Sequence, residues 1–162
     1  MKKLLFLFSI SLILFSCSSD DNSEKDSQNG TLIFNSYYVD KLSTGEDHEI
    51  IQPLAVIHIW NADNTDFDFE KSKDDLLRGY IYDKIQNKSL KANFSLLNTS
   101  TLTSEFNAGK YVIYVNYGEK TNGRATFAHS YTYFEIKKNE VTILKKYLKK
   151  DGDYPAFKYH KW

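Results

Sequence analysis

The chain has one cysteine, one methionine, two prolines and seven glycines in 162 residues. A single cysteine excludes an intrachain disulfide, so burial and backbone hydrogen bonds must hold the fold. With so little proline and glycine, no Pro/Gly-rich linker divides the body into domains. No apolar run reaches the roughly 20 residues that a membrane-spanning helix needs. Formal net charge is +0, which argues against a nucleic-acid binder, because contacts to phosphates require a basic surplus. There is no G-x-S-x-G and no H-E-x-x-H. The histidines, His48, His58, His129 and His160, are scattered, without the spacing of a zinc site.

What is present begins with Lys2 and Lys3, followed by the apolar stretch Leu4 to Phe15 and the small residue Ser16. A positive start, a short apolar run and a small residue, in that order, read as a secretory signal peptide over residues 1–16. The stretch "LFSC" ending at Cys17 resembles the bacterial lipoprotein signal, with a bulkier residue than usual at Phe15. The resemblance implies cleavage before Cys17, a diacylglyceryl group on its sulfur and acylation of the new amine. Two or more acyl chains hold a protein firmly to a bilayer, whereas one holds it marginally. Residues 17–29 follow as "CSSDDNSEKDSQN", polar, acidic and without large apolar side chains. Such a composition cannot bury enough surface to order itself and is expected to act as a flexible tether. Its start, with Ser18, Ser19, Asp20 and Asp21 behind the cysteine, resembles the export signal of surface lipoproteins in Bacteroidetes-type bacteria. That resemblance implies a lipid-anchored protein of a Gram-negative outer membrane, facing the cell surface, with a periplasm-facing position as the alternative.

The neutral total hides an asymmetry. Ser18 to Asp75 holds 14 acidic and 4 basic residues, whereas Lys137 to Trp162 holds 8 lysines and 3 acids. The basic end either meets a polyanion or guards an exposed edge strand against aggregation.

From Thr31 onward, apolar and polar residues alternate with period two. The expected strands are Thr31–Val39, Pro53–Trp60, Gly79–Asp83, Leu90–Leu97, Leu102–Phe106 and Lys110–Tyr117. "SYTYFEI" and "VTILKKYL" flank "KKNE" and read as a closing hairpin, with Asn139 in the turn conformation that disfavours most residues. "PLAVIHIW" is apolar on both faces, so it should be a central strand covered on each side. Within it, His58 alternates with Val56 and Trp60 and reads as a hydrogen-bonded strand histidine. "EKSKDDLLR" offers at most one short helix near residues 72–78, with Ser72 and Asp75 as a capping box. The expectation is an all-β fold: a single antiparallel β-sandwich of about seven to eight strands over residues 30–150.

"FNAGKYVIYVNYG" and "FEIKKNEVTILKKYL" resemble the late strands and closing hairpin of transthyretin-like and related immunoglobulin-like sandwich domains. "GYIYDKIQNKSLKANFSLL" is similar to the opening segment of their carboxypeptidase-regulatory members. The resemblance implies a binding, stalk or accessory module; it is an analogy of fold, which does not carry a function by itself.

Three constellations could carry chemistry. Asp63, Asp66, Asp68 and Glu70 lie close in "NADNTDFDFE" and could offer oxygens to calcium, although alternation with Phe67 and Phe69 also describes a strand with one wet face. Tyr154, Phe157, Tyr159 and Trp162, in the C-terminal tail 151–162, could form a platform for sugars or could fold back over the domain. Paired carboxylates for glycoside hydrolysis could be drawn almost anywhere and single out no residues. The expectation is a non-enzymatic binding or assembly lipoprotein without a cofactor. It would meet the membrane through Cys17 and hold an unidentified protein or glycan partner. A carbohydrate-binding accessory lipoprotein is the alternative, and a small hydrolase a distant one.

Overall fold

The computed structural model describes residues 28–41, 44, 47–51, 55–121, 124–149, 158–159 and 162. The signal segment, Cys17 to Asp21, Tyr154 and Phe157 lie outside the described residues. The protein is an all-β sandwich with a third, smaller layer.

The first sheet is built on β1 (Asn29–Lys41), the longest run of alternation in the N-terminal half. One edge of β1 pairs with β11 (Val141–Lys149). The other edge pairs first with β8 (Thr101–Asn107) and then with β2 (Asp47–Ile51). The second sheet is five-stranded. Its order is β12 (Lys158–Tyr159), β10 (Arg124–Ile136), β9 (Gly109–Thr121), β3 (Ala55–Asn61) and β7 (Phe94–Leu97). The third layer joins β4 (Phe67–Asp68), β5 (Tyr80–Asp83) and β6 (Lys88–Lys91).

The five-stranded sheet is covered on both faces, as the two-sided apolarity of "PLAVIHIW" predicts. Ala55, Ile57 and Ile59 of β3, with Tyr111, Ile113 and Val115 of β9, pack against Leu32 and Phe34 of β1 and Leu102 of β8. On the opposite face, Trp60 of β3 with Val112 and Tyr114 of β9 pack against Phe67, Leu76 and Ile81 from the segment between β3 and β7. Strand alternation sends successive side chains to opposite faces, so β3 and β9 each feed two cores.

Four local expectations change. "KKNE" forms a turn, and Asn139 takes a positive φ of 58°, but β10 and β11 are not paired. The turn instead carries the chain from the second sheet to the first. Its polar groups bind the start of β1: Thr31 N–H donates to the Glu140 carbonyl at 2.9 Å, and Asn139 N–H to the Asn29 carbonyl at 2.8 Å. Starting beside the start of β1, with Thr31 opposite Val141, β11 has to run parallel to it. The sheets are therefore mixed rather than wholly antiparallel. Gly30 permits this crossing, because a Cβ there would strike the carbonyl oxygens of Lys137 and Glu140.

Leu90–Leu97, expected as one strand, breaks into β6 and β7. Asn93 N–H bonds to the Ile59 carbonyl at 2.9 Å as the chain rounds the edge of β3. Leu90 and Ala92 then enter the core against the third layer, while Phe94 and Leu96 enter the sandwich core. Tyr80–Asp83 is a strand as expected, but it lies in the third layer. The helical hint near 72–78 becomes a four-residue turn, α1 (Phe69–Ser72), followed by a 3-10 turn, Leu76–Arg78. The cap is Asp68, which accepts from the Lys71 N–H at 2.9 Å, and Asp75 makes no side-chain cap. Ser72 faces inward: its hydroxyl donates to the Asp68 carbonyl at 2.5 Å and accepts from the Tyr82 N–H at 2.7 Å.

Candidate functional site

The third layer is fastened to the five-stranded sheet by a few directional bonds. Trp60 Nε1–H donates to the Leu90 carbonyl at 3.2 Å. His58 Nε2 lies 3.1 Å from the Leu77 carbonyl, and its Nδ1 lies 2.8 Å from Ser95 Oγ. A carbonyl can only accept, so Nε2 carries the proton and Nδ1 accepts from the Ser95 hydroxyl. Burial lowers the His58 pKa, and the bond to Leu77 opposes that only in part. Gly79 closes the 3-10 turn at φ 78°. A Cβ on it would sit 3.2 Å from the His58 ring.

This cover is short, and it leaves a groove of about 490 Å³ beside it. Tyr114, His129 and Tyr131, from β9 and β10, form the floor; Phe69, Glu70, Lys73, Asp74 and Leu76 form the wall. The Phe69 and Tyr131 rings stack with centroids 3.5 Å apart, within 5° of parallel. Tyr133, two residues along β10 on the same face and 54% exposed, meets Phe69 edge-on at 6.4 Å and extends the aromatic surface beyond the groove. Tyr114 and His129 stack at 5.8 Å. Burial pushes the Tyr114 phenol up to about 12, and Asn116 Nδ2–H donates to its oxygen at 3.4 Å. Its hydroxyl therefore keeps its proton at any ordinary pH. The combination is apolar ring faces, a neutral phenol, two carboxylates and an ammonium around one concavity. Its volume falls in the range of about 300–1,000 Å³ that small-ligand sites typically occupy.

The acidic residues singled out for calcium are not brought together. Asp63 Oδ1 accepts from the Lys110 N–H at 3.1 Å, Asp66 pairs with Lys84 at 3.0 Å, Asp68 caps α1, and Glu70 stands on the groove wall. Among the described residues, no group of three or more His, Cys, Asp or Glu could hold a metal. Of the aromatic tail, Trp162 is half-buried against the sandwich core, its ring 6.1 Å from Phe34. The backbone of Tyr159 pairs with His129 in β12.

Sequence reasoning missed the groove residues Phe69, Lys73, Asp74, Tyr114, His129 and Tyr131 as a set. The one available signal was the alternation of "HSYTY", which puts His129, Tyr131 and Tyr133 on a single face of β10. Two further buried polar groups were also missed. The Asp83 carboxyl is pushed up by burial but held below its ordinary value by the N–H groups of Asp66, Ile85 and Gln86, and so ties the β5–β6 turn. Lys146 faces the sandwich interior beneath Trp162, and burial lowers its ammonium to about 8.

No protein-family model, no curated protein and no solved structure matches the chain, so its functional assignment rests on its own residues.

Proposed function

We propose that this chain is a lipid-anchored cell-envelope protein whose β-sandwich binds a sugar-sized ligand, without catalysis, in the groove beside the third layer. The anchor is Cys17, set in its lipoprotein-like signal, and Ser18, Ser19, Asp20 and Asp21 behind it address the protein to the surface of a Gram-negative outer membrane. The observation that carries the binding reading is the groove itself, with the Phe69–Tyr131 stack beside Glu70 and Asp74. Pyranose rings offer C–H faces that pack on aromatic side chains and hydroxyls that donate to carboxylates. Binding is favoured over hydrolysis by the placement of the acids. Glu70 and Asp74 both belong to one wall of the groove, whereas glycoside hydrolysis needs carboxyl groups on either side of the scissile bond. Among the described residues, no serine, threonine or cysteine lines the groove to act as a nucleophile.

The test is a glycan array probed with the full-length protein in detergent, followed by titration of any hit. Tyr131→Ala and Glu70→Gln are each expected to weaken the hit at least about tenfold, the loss of one good contact of about 1.4 kcal/mol. Release of reducing ends from the bound glycan would replace binding by catalysis, and hits indifferent to both substitutions would remove the groove from the account.

A further inference from the structure

The outer face of the β11–β1–β8 sheet carries an apolar strip that no described element covers. On β11, Val141 and Ile143 are each 59% exposed and Tyr147 is 41% exposed. Lys145 stands among them, exposed on the same face. Beside them on β1, Ile33 and Tyr37 are half-covered, and Tyr37 stacks on Tyr147 at 5.3 Å. Among the described side chains, the exposed acids beside this strip are Glu140, in the turn before β11, and Glu105, across β1 on β8; the turn also presents Lys137.

We propose that this face docks on an anionic lipid surface, the same membrane that holds the anchor. The inference rests on the lipid-anchor reading of Cys17. Three observations point to this occupant. First, the chain enters the domain at the edge of the strip: Gln28 leads into β1, and Thr31 lies opposite Val141. Ten residues lie between Cys17 and Gln28, a reach of at most about 40 Å even when fully extended. A lipid at Cys17 therefore keeps the strip within molecular dimensions of the bilayer. So short a tether gives an effective concentration of about millimolar, so a contact too feeble to hold a free protein holds this one. Second, the side chains suit the water–lipid boundary. Branched aliphatics insert, tyrosines settle at headgroup depth, and a lysine keeps its charge among the headgroups while its stem lies along the apolar surface. Lys145 on the strip, and Lys137 in the turn before β11, are attracted by anionic lipid at about 1 kcal/mol per basic residue near the surface. Third, the orientation is productive. The five-stranded sheet lies between this face and the groove, so docking the strip turns the groove away from the membrane.

Cys17 is the only native cysteine and its sulfur is occupied in the lipidated protein, so a single probe can be placed elsewhere. Full-length Ile143→Cys, labelled with a polarity-sensitive fluorophore, is reconstituted in vesicles of phosphatidylglycerol and phosphatidylcholine. Lys73→Cys on the groove wall is the control. The probe at 143 is expected to shift to the blue and to be quenched by lipid-borne quencher, while the probe at 73 stays solvent-like. Adding Lys145→Glu should lower the docked fraction severalfold. Mass spectrometry of the N-terminal peptide reads the lipid on Cys17 separately. A buried probe on an unlipidated chain keeps the docking face and removes the anchor. A solvent-like probe at 143 on lipidated protein overturns the docking face; on an unlipidated chain, where no tether holds the strip near the bilayer, it overturns the anchor on which the proposal rests. A blue shift that appears without vesicles and grows with protein concentration also overturns it, in favour of a second copy.

Discussion

The two faces of the five-stranded sheet are built from the same strands and covered in opposite ways. One face meets another sheet along its length. There Ile57, Ile59, Ile113 and Val115 are fully buried against Leu32 and Phe34. Among the described residues, the other face meets the segment between β3 and β7. Its buried residues include His58, Tyr114 and Asn116, and it borders the groove. A sheet covers a sheet evenly because both have the same periodicity. A cover made of a helical turn and three short strands cannot follow the pleat everywhere. Polar groups survive on that face because the turns supply carbonyls and hydroxyls for them to bond. The filled face makes the fold, and the incompletely covered face is free to make a site.

The sharpest way to break that contrast is to remove equivalent volume from each side. Ile113→Ala opens a cavity where nothing can collapse into it and should cost about 2–5 kcal/mol. Leu76→Ala removes a side chain that already borders the groove, so its cost should fall at the low end of that range or below it. Urea unfolding should show the difference as a shift in midpoint at constant slope. Equal losses would mean that the two faces are packed alike.

A smaller effect should follow from the fastening of the third layer. Gly79→Ala forces a side chain into the left-handed region, at about 1–2 kcal/mol, and presses it on the His58 ring. The damage should stay in the cover. Amide exchange should speed up in β5 and β6 while the β9–β10 ladder keeps its protection. Uniform loss of protection would show that the cover and the sheet unfold as one unit.

How far these features were legible in the sequence differs by level. The two-faced character of β3 and β9 follows directly from Ala55, Ile57 and Ile59 alternating with His58 and Trp60, and from Tyr111, Ile113 and Val115 alternating with Val112 and Tyr114. Alternation reports that a strand is covered but not what covers it. Leu90 to Leu97 keeps one unbroken period while its first half serves one core and its second half another. The turn at Asn139 was readable, because its positive φ suits asparagine. Its partner was not, because the hydrogen bonds that decide between a hairpin and a crossing come from Asn29 and Thr31, over a hundred residues away in sequence. The groove was least legible of all. Phe69 and Tyr131 meet only after the chain has laid down β5 to β9 between them, and each alone reads as an ordinary strand or turn aromatic.

The smallest expected effect isolates His58, a titrating group that joins the two layers. His58 is neutral in the fold, with its Nε2 proton on the Leu77 carbonyl and its Nδ1 lone pair on the Ser95 hydroxyl. Tyr114, stacked at 6.4 Å, stays protonated, since its phenol is pushed up to about 12. Burial lowers the His58 pKa from 6.5. Just below that pH the unfolded chain therefore takes up a proton that the folded chain refuses. Stability is fully present above about pH 6.5 and falls as pH drops toward the lowered folded value, by at most about 1.4 kcal/mol per pH unit. Below the folded value the two states are protonated alike, and this contribution becomes flat. His58→Gln places an amide that can donate to Leu77 and accept from Ser95 but cannot titrate. Melting temperatures of both proteins between pH 7.5 and 5 should separate progressively, with the variant losing less as the solution is acidified. Parallel curves would show that the bond between the layers is insensitive to the charge on His58, and that the third layer is held by packing around Trp60 rather than by this histidine.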